Sequence, residues 1–354
     1  MKIAKRIALF LFLLVFLVVT SGIIIAYVYQ DRVKEYLVGE ISKNLEAETG
    51  VSEIEFSVLR KFPMASLSFS QIWCKSTGEH MTFDTLFAAD RLFLQFHVMD
   101  IFSNNYSITQ VDLENARVNI EFNKYGDDNY HFWKEVAETD TLPDKAFAIN
   151  LDRMVFDNTH INYLDVKRKQ DFAFQTKSML ASGSLMDTTG LLSLGFDAVG
   201  EKLIVGETDY IKNKRLIGSV DLSFDSEVYE ILRGDVSVDG LQVSVDGYID
   251  KRITGASERE LALKFLGSGL DITNTLALLP DNDLVRPYTI TGEADLIISI
   301  KDDLNTRKAP VVTIDFKTED ATLRIDTLNL TFAHIELDGK YSSYYGEDID
   351  GASR

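Results

Sequence analysis

Residues 92–98 read Leu-Phe-Leu-Gln-Phe-His-Val, and residues 116–122 read Ala-Arg-Val-Asn-Ile-Glu-Phe. Leu92, Leu94, Phe96 and Val98 fall on every second position of the first stretch. Ala116, Val118, Ile120 and Phe122 do so in the second, with Arg117, Asn119 and Glu121 between them. Successive side chains of a strand point to opposite faces, so a period of two predicts half-buried β-strands with one apolar face.

The same period spreads outward from these stretches. Ile54, Phe56 and Val58 share it, and so do Leu67, Phe69 and Trp73 beyond Pro63. In the second half it returns at Leu241, Val243 and Val245, at Leu296, Ile298 and Ile300, and at Val312 and Ile314. Leu323 and Ile325 predict one further strand, and Leu328, Leu330 and Phe332 another. Val236 and Val238 lie in opposite parity to Leu241, which puts a turn or bulge near Gly240. Ile297 interrupts the polar face of its strand. Only "DITNTLALLPDNDLVRPY" reads as a short helix inside this run, capped by Asp271 or Thr273 and ending before Pro280. Without long helices between strands, βαβ units have no crossover, and the expected fold is mainly β with an antiparallel sheet.

The N-terminus is different. Ile7 to Tyr29 are 23 residues without a charge. At ~1.5 Å per residue they make a helix of roughly 35 Å, enough to cross a hydrocarbon core of about 30 Å. A cleavable signal peptide has an apolar region of about 7–15 residues closed by a small-x-small site. Here the run continues through "GIIIAYVYQ", which favours an uncleaved anchor. Lys2, Lys5 and Arg6 precede it and direct the N-terminus to the cytoplasm, leaving the bulk outside. Tyr27 and Tyr29 sit where an interfacial aromatic belt belongs. After it, Val33, Leu37, Ile41 and Leu45 define one face of an amphipathic helix that Gly50 terminates. Its bland reading is a plug for one end of a sheet, since its charges are mixed.

Composition agrees with that placement. The chain has 36 Lys+Arg against 55 Asp+Glu, a net charge of -19, which argues against nucleic acid as a partner. A hydrophobic content of 45% supports a folded exterior. Cys74 is the single cysteine, so no disulfide framework and no CxxC site exist. The five histidines, His80, His97, His131, His160 and His334, show no metal-ligand spacing. No GxSxG, phosphate-binding loop or SxxK occurs. Asp127, Asp128 and Asn129 in the turn "NKYGDDNYHFW" lack the alternate ligands and distal Glu of a calcium loop, and an Asx-rich turn explains them. Asp348 and Asp350 read as a solvated tail. The chain offers no catalytic, cofactor or metal constellation above background, so the reading is not an enzyme.

The order of segments resembles the AsmA family. An N-terminal anchor is followed by "VKEYLVGEISKNLEAETG", whose Thr49-Gly50 leads into a strand, and then by the proline-centred "FPMASLSFSQIWCKS". The most specific stretch is "LFAADRLFLQFHVMDIFSNNYSITQVDLENARVNIEFNKYGDDNYHF". It holds a strand start at Ala89-Asp90, a break at Ile101-Phe102, the "I-x-x-V-x-L-x-x-A-x-V" strand pair, and Gly126 and Asn129 in a G-x-x-N turn. Later, "LGSGLDITNTLALLP" is similar to the family's helix-and-proline segment, followed by "ITGEADLIISI".

The resemblance implies an inner-membrane-anchored periplasmic protein of the Gram-negative envelope, related to chorein-type bridge lipid transfer proteins. It implies a β-sheet curled into an open apolar groove, phospholipids as cargo, a role in outer-membrane biogenesis, and outer-membrane assembly proteins as further partners. Leu92, Leu94, Phe96, Val98, Val118, Ile120 and Phe122 become groove candidates. The chain then divides into a cytoplasmic tip and anchor (1–29), a helix and the start of the groove (30–135), an exposed linker (136–145) and the continuing groove (146–354). It stops at "DGASR" without a closing element, which reads as a short or truncated member.

The physics is coherent. An acyl chain of ~16 carbons loses about 0.8 kcal/mol per methylene in water, so roughly 13 kcal/mol opposes its free passage between bilayers. An apolar trough removes most of that barrier. About 15 to 20 strands at ~4.8 Å spacing would extend it for roughly 70–100 Å. Two competing readings remain: a non-transporting β-scaffold assisting outer-membrane protein assembly, and an ordinary antiparallel sandwich whose apolar faces bury each other.

Overall fold

The computed structural model describes residues 46–61, 64–97, 108–131, 149–185, 189–252, 260–278, 288–303 and 310–343. The anchor 7–29 with Lys2, Lys5 and Arg6, the amphipathic helix, Val98, the Ile101-Phe102 break, the linker 136–145, Pro280 and the acidic tail lie outside the described residues. Among the described residues, no helix is long and apolar enough to cross a membrane.

The described chain is mainly β, in one sheet of eighteen strands. The first half gives β1 (Thr49–Gly50), β2 (Glu53–Lys61), β3 (Met64–Lys75), β4 (Thr85–His97) and β5 (Ile108–Phe122). Then come β6 (Ile149–Asp157), β7 (His160–Asp165), β8 (Gln170–Leu185), β9 (Thr189–Val205), β10 (Thr208–Asp209) and β11 (Lys214–Asp225). Next are β12 (Val228–Val238), β13 (Leu241–Asp250) and β14 (Glu260–Asp271). The helix α1 (Ile272–Leu276) precedes β15 (Tyr288–Thr291), β16 (Glu293–Asp303), β17 (Val311–Ile325) and β18 (Leu330–Ser342).

Most neighbours in the sheet are also neighbours in sequence, joined as antiparallel hairpins. The exception corrects the all-antiparallel expectation: β6 and β7 both run parallel to β5. A two-residue turn can only reverse the chain. After Phe122 the next paired strand instead begins beside the Ile108 end of β5, with Arg153 opposite Gln110, so β6 and β7 enter in the same direction as β5. The sheet is therefore mixed. Pairs of strands also share a lane, β1 with β2, β6 with β7, β10 with β11 and β15 with β16, so eighteen strands make fourteen lanes. At ~4.8 Å per lane the sheet extends about 60 Å, less than a count of strands implies.

Local chemistry sets the ends of these elements. Asp239 and Gly240, with φ of 48° and 94°, make the two-residue turn between β12 and β13, a conformation that Gly adopts without steric cost. The Asp271 carboxylate accepts the Asn274 N–H at 2.8 Å and caps α1, one of the two caps expected. Gly50 lies in β1 under the Trp73 ring, which leaves no space for a Cβ. The two strands expected at Val312–Ile314 and Leu323–Ile325 are one strand, β17, whose bulges around Ala321 reset its parity. Ala89-Asp90 lies inside β4 rather than at its start, four residues beyond Thr85.

A crease explains why parity changes within strands. Gln71, Asn115 and Asn158 have φ of 51°, 50° and 50°, and they align with Asp90 across neighbouring lanes. Their amides form a ladder: Gln71 Nε2 to Asp90 Oδ1 at 3.1 Å, Asn115 Nδ2 to Asp90 Oδ2 at 2.9 Å and Asn158 Nδ2 to Asn115 Oδ1 at 2.7 Å. Gln175 Nε2 extends it to Asn158 Oδ1 at 2.9 Å. At the crease two successive residues leave the apolar face, so the residues facing it change from Phe69 to Ile72, from Ala89 to Leu92 and from Leu113 to Ala116. Trp73, expected beside Phe69, is turned to the opposite face for this reason, and Cys74 takes its place.

Buried apolar side chains are few. Among the described residues seventeen are buried, and only nine of these are Leu or Phe. Phe56, Ala65, Leu67, Phe69 and Phe96 form one cluster, with Phe56 and Phe96 stacked at 6.3 Å. Ala89, Leu113 and Ala116 form a second. Leu67→Ala, at a fully buried site, is expected to cost about 3 kcal/mol in urea denaturation, whereas Leu194→Ala, half-buried on the same face, should cost about 1 kcal/mol. Equal losses would mean that both sites are sealed.

Candidate functional site: an apolar face continuous across the sheet

Residues paired side by side in a sheet share a face, so the register can be followed from one edge to the other. Starting at Phe56, successive partners are Leu67, Leu94, Val111, Met154, Ala181 and Leu194. The row continues through Val220, Gly234, Val245, Phe265, Ile298, Ile314 and Tyr341. Every lane contributes one residue and none is charged. A parallel row runs from Gly183 through Leu192, Leu222, Ile231, Gly247, Leu263 and Ile300 to Val312. One position away, the opposite face is mixed: it carries Glu55, Ser68, Asp112, Ser219, Asp235, Ser244, Asp315 and Lys340, with Phe93, Val155, Leu180, Leu266 and Ile297 between them.

Most of the apolar row beyond Leu94 is half-buried rather than sealed. Phe56, Leu67 and Ala181 are buried, while Tyr341 is 52% exposed. Two sheets clasped face to face would bury such rows completely.

The face deepens into an open apolar concavity of about 610 Å³ lined by Cys74, Leu86, Phe87, Val118, Ile120, Phe122, Tyr130 and Tyr163. Aromatic rings close one end: Phe122 meets Tyr130 edge-on at 5.8 Å, and Tyr163 stacks on Phe172 at 5.3 Å. The groove candidates divide accordingly. Val118, Ile120 and Phe122 line the concavity, whereas Phe96, with Leu92 and Leu94 against it, belongs to the buried cluster around Leu67. Cys74, Leu86, Phe87, Tyr130 and Tyr163 were not expected at the groove from sequence, although Leu86 and Phe87 open the stretch that carries Ala89-Asp90. Nor were Met154, Leu194, Val220 and Phe265, whose alternation is readable in stretches such as Leu192, Leu194, Phe196 and Ala198.

Behind the concavity the expected polarity is inverted. Asn119 and Glu121, expected on the face away from the apolar one, are 4% and 0% exposed, and Asn123 at the start of the turn is 1% exposed. Residues 76–84 pack against them, and the 123–129 turn pairs back onto the end of β5. The Glu121 carboxylate accepts backbone N–H groups of Thr82 at 2.7 Å and Phe83 at 2.8 Å. Asn129 Oδ1 accepts the Glu121 N–H at 2.9 Å, while its Nδ2 donates to the Asn119 carbonyl at 2.9 Å and to Ser76 Oγ at 3.1 Å. Asn123 Oδ1 accepts N–H groups of Tyr125, Gly126 and Asp127 at 2.8–3.0 Å. The G-x-x-N turn is therefore a structural clamp, and the acids of the 127–129 cluster are engaged within it. Among the described residues no group of His, Cys, Asp and Glu is arranged to hold a metal ion.

No protein-family model, curated protein or solved structure matches the chain, so the resemblance to the AsmA family rests on the order of segments alone.

Two outcomes follow from this geometry. Glu121→Ala leaves the Thr82 and Phe83 N–H groups without acceptors and should lower unfolding free energy by about 3 kcal/mol in a chemical melt. Burial pushes the Cys74 thiol above its ordinary value, so at pH 7.5 a polar maleimide should label it at least ~10-fold more slowly than a free cysteine peptide.

Proposed function

We propose that this chain carries phospholipid acyl chains along the apolar face of its sheet, tethered to the inner membrane by residues 7–29 with the sheet in the periplasm, in the manner of AsmA-type proteins of outer-membrane biogenesis. The observation that supports it best is the uncharged row reaching from Phe56 to Tyr341 while staying half-buried. A row that buried itself would stabilise the fold; one that remains open has the shape and polarity to accept methylenes. No reactive group is needed, because the work is removal of the aqueous barrier to an acyl chain. The sheet is read as curled into a groove, with its apolar face inward and its mixed face in water.

Photocrosslinking separates this reading from its rivals, because one residue changes the face. A photoreactive phenylalanine analogue at Val220 should give phospholipid adducts in whole cells, and the same analogue at Ser219 should give none. Absence of adducts at Val220, or equal yields at both positions, would defeat the carrier reading and favour the scaffold. Leu94→Asp places a charge in the row between Leu67 and Val111, and should reduce phospholipid recovered with the protein by at least ~10-fold by mass spectrometry.

A further inference from the structure

The turn after β7 reads Val166-Lys167-Arg168-Lys169, the one run of three consecutive cations in a chain of net charge -19. It stands at the aromatic end of the apolar concavity. The Val166 N–H donates to the carbonyl of Phe122 at 3.0 Å, and Phe122 and Tyr163 both line the concavity. Lys167 Nζ lies 3.5 Å from the point where a Cβ on Gly126 would stand, over the same turn that carries Lys124. The Arg168 guanidinium is held by Asp165 at 3.0 Å and stands beside the Tyr163 hydroxyl.

The cluster sets four cations, Lys124, Lys167, Arg168 and Lys169, against three carboxylates, Asp127, Asp128 and Asp165, an excess of one positive charge. Asp165 is engaged by the backbone N–H and guanidinium of Arg168, Asp127 by Asn123 Nδ2 at 3.1 Å, and Asp128 by His131 Nδ1 at 2.6 Å. Lys124, Lys167 and Lys169 have no ion pair among the described residues. Burial, and after it the charge of Asp165, raise the pKa of the Tyr163 phenol, which carries one O–H to donate.

We propose that this rim binds the phosphate of an anionic phospholipid whose acyl chain occupies the concavity of Val118, Ile120 and Phe122. The inference rests on the reading of the apolar face as a lipid surface and adds a headgroup preference to it. The phosphate takes charge-assisted hydrogen bonds from Lys167 and Lys169, with the phenol as a further donor. The concavity falls in the size range of ordinary ligand sites. Arg168 positions Tyr163 and Asp165 and is not itself free for the ligand.

The test uses the full chain in a neutral maltoside detergent and two probes with the same fluorescent acyl chain, phosphatidylglycerol and diacylglycerol. Wild type should bind phosphatidylglycerol about 10-fold more tightly. The pair Lys167→Glu with Lys169→Glu should bind both probes alike, and Lys167→Gln with Lys169→Gln serves if the reversal changes the melting transition. An unchanged preference in a folded variant overturns the headgroup site and leaves the acyl reading standing. Binding of neither probe by wild type overturns both. Displacement of phosphatidylglycerol by micromolar inorganic phosphate would show a site for free phosphate and overturn the proposal.

Discussion

Lateral register is the constraint on which everything else depends. The row from Phe56 to Tyr341 is uncharged only because each lane is paired at one offset. A slip of one residue at β11 would bring Ser219 or Asp221 into it, and at β17 Asp315. Such a slip also exposes a strand's apolar residues to water, which makes the hydrophobic pattern its own register key. Hairpin turns such as Asp239-Gly240 and the bulges of β12, β14 and β17 hold the offset where lane lengths differ. Ion pairs contribute little to this, because Arg215–Asp197 and Lys317–Glu319 sit largely in solvent.

The sheet distributes burial unusually. Its most enclosed groups near the concavity are polar, Glu121, Asn123 and Asn129, each satisfied by backbone or amide partners. Enclosure by hydrogen bonds fixes β5 from behind while the apolar side stays available. A greasy surface that had to be its own core could not do this. The two faces thus exchange their customary roles over this part of the sheet.

Much of the fold was legible in the sequence, and the failures have identifiable causes. Alternation located β2, β4, β5, β13 and β16, because each apolar stretch there lies on one side of the crease or is free of bulges. It misplaced Trp73 because nothing in the residue pattern announces that Gln71 adopts positive φ. It split β17, where bulges change parity inside a continuous strand. It expected a wholly antiparallel sheet because strand direction after a long connection is decided by tertiary packing rather than by local pattern. At the site, Val118, Ile120 and Phe122 were readable from period two. Cys74, Tyr130 and Tyr163 were not, since they converge from a crease, a turn and a parallel partner.

The parallel junction of β5 with β6 and β7 has a kinetic consequence. Elsewhere each lane docks antiparallel on the lane made just before it, so contacts are comparatively local and the sheet can grow by successive addition. At the junction the chain must close a long loop before any pairing rewards it, an entropic step that slows assembly. Joining the segment that ends at Phe122 to the one that starts at Ile149 is therefore expected to be slower than adding a neighbouring hairpin.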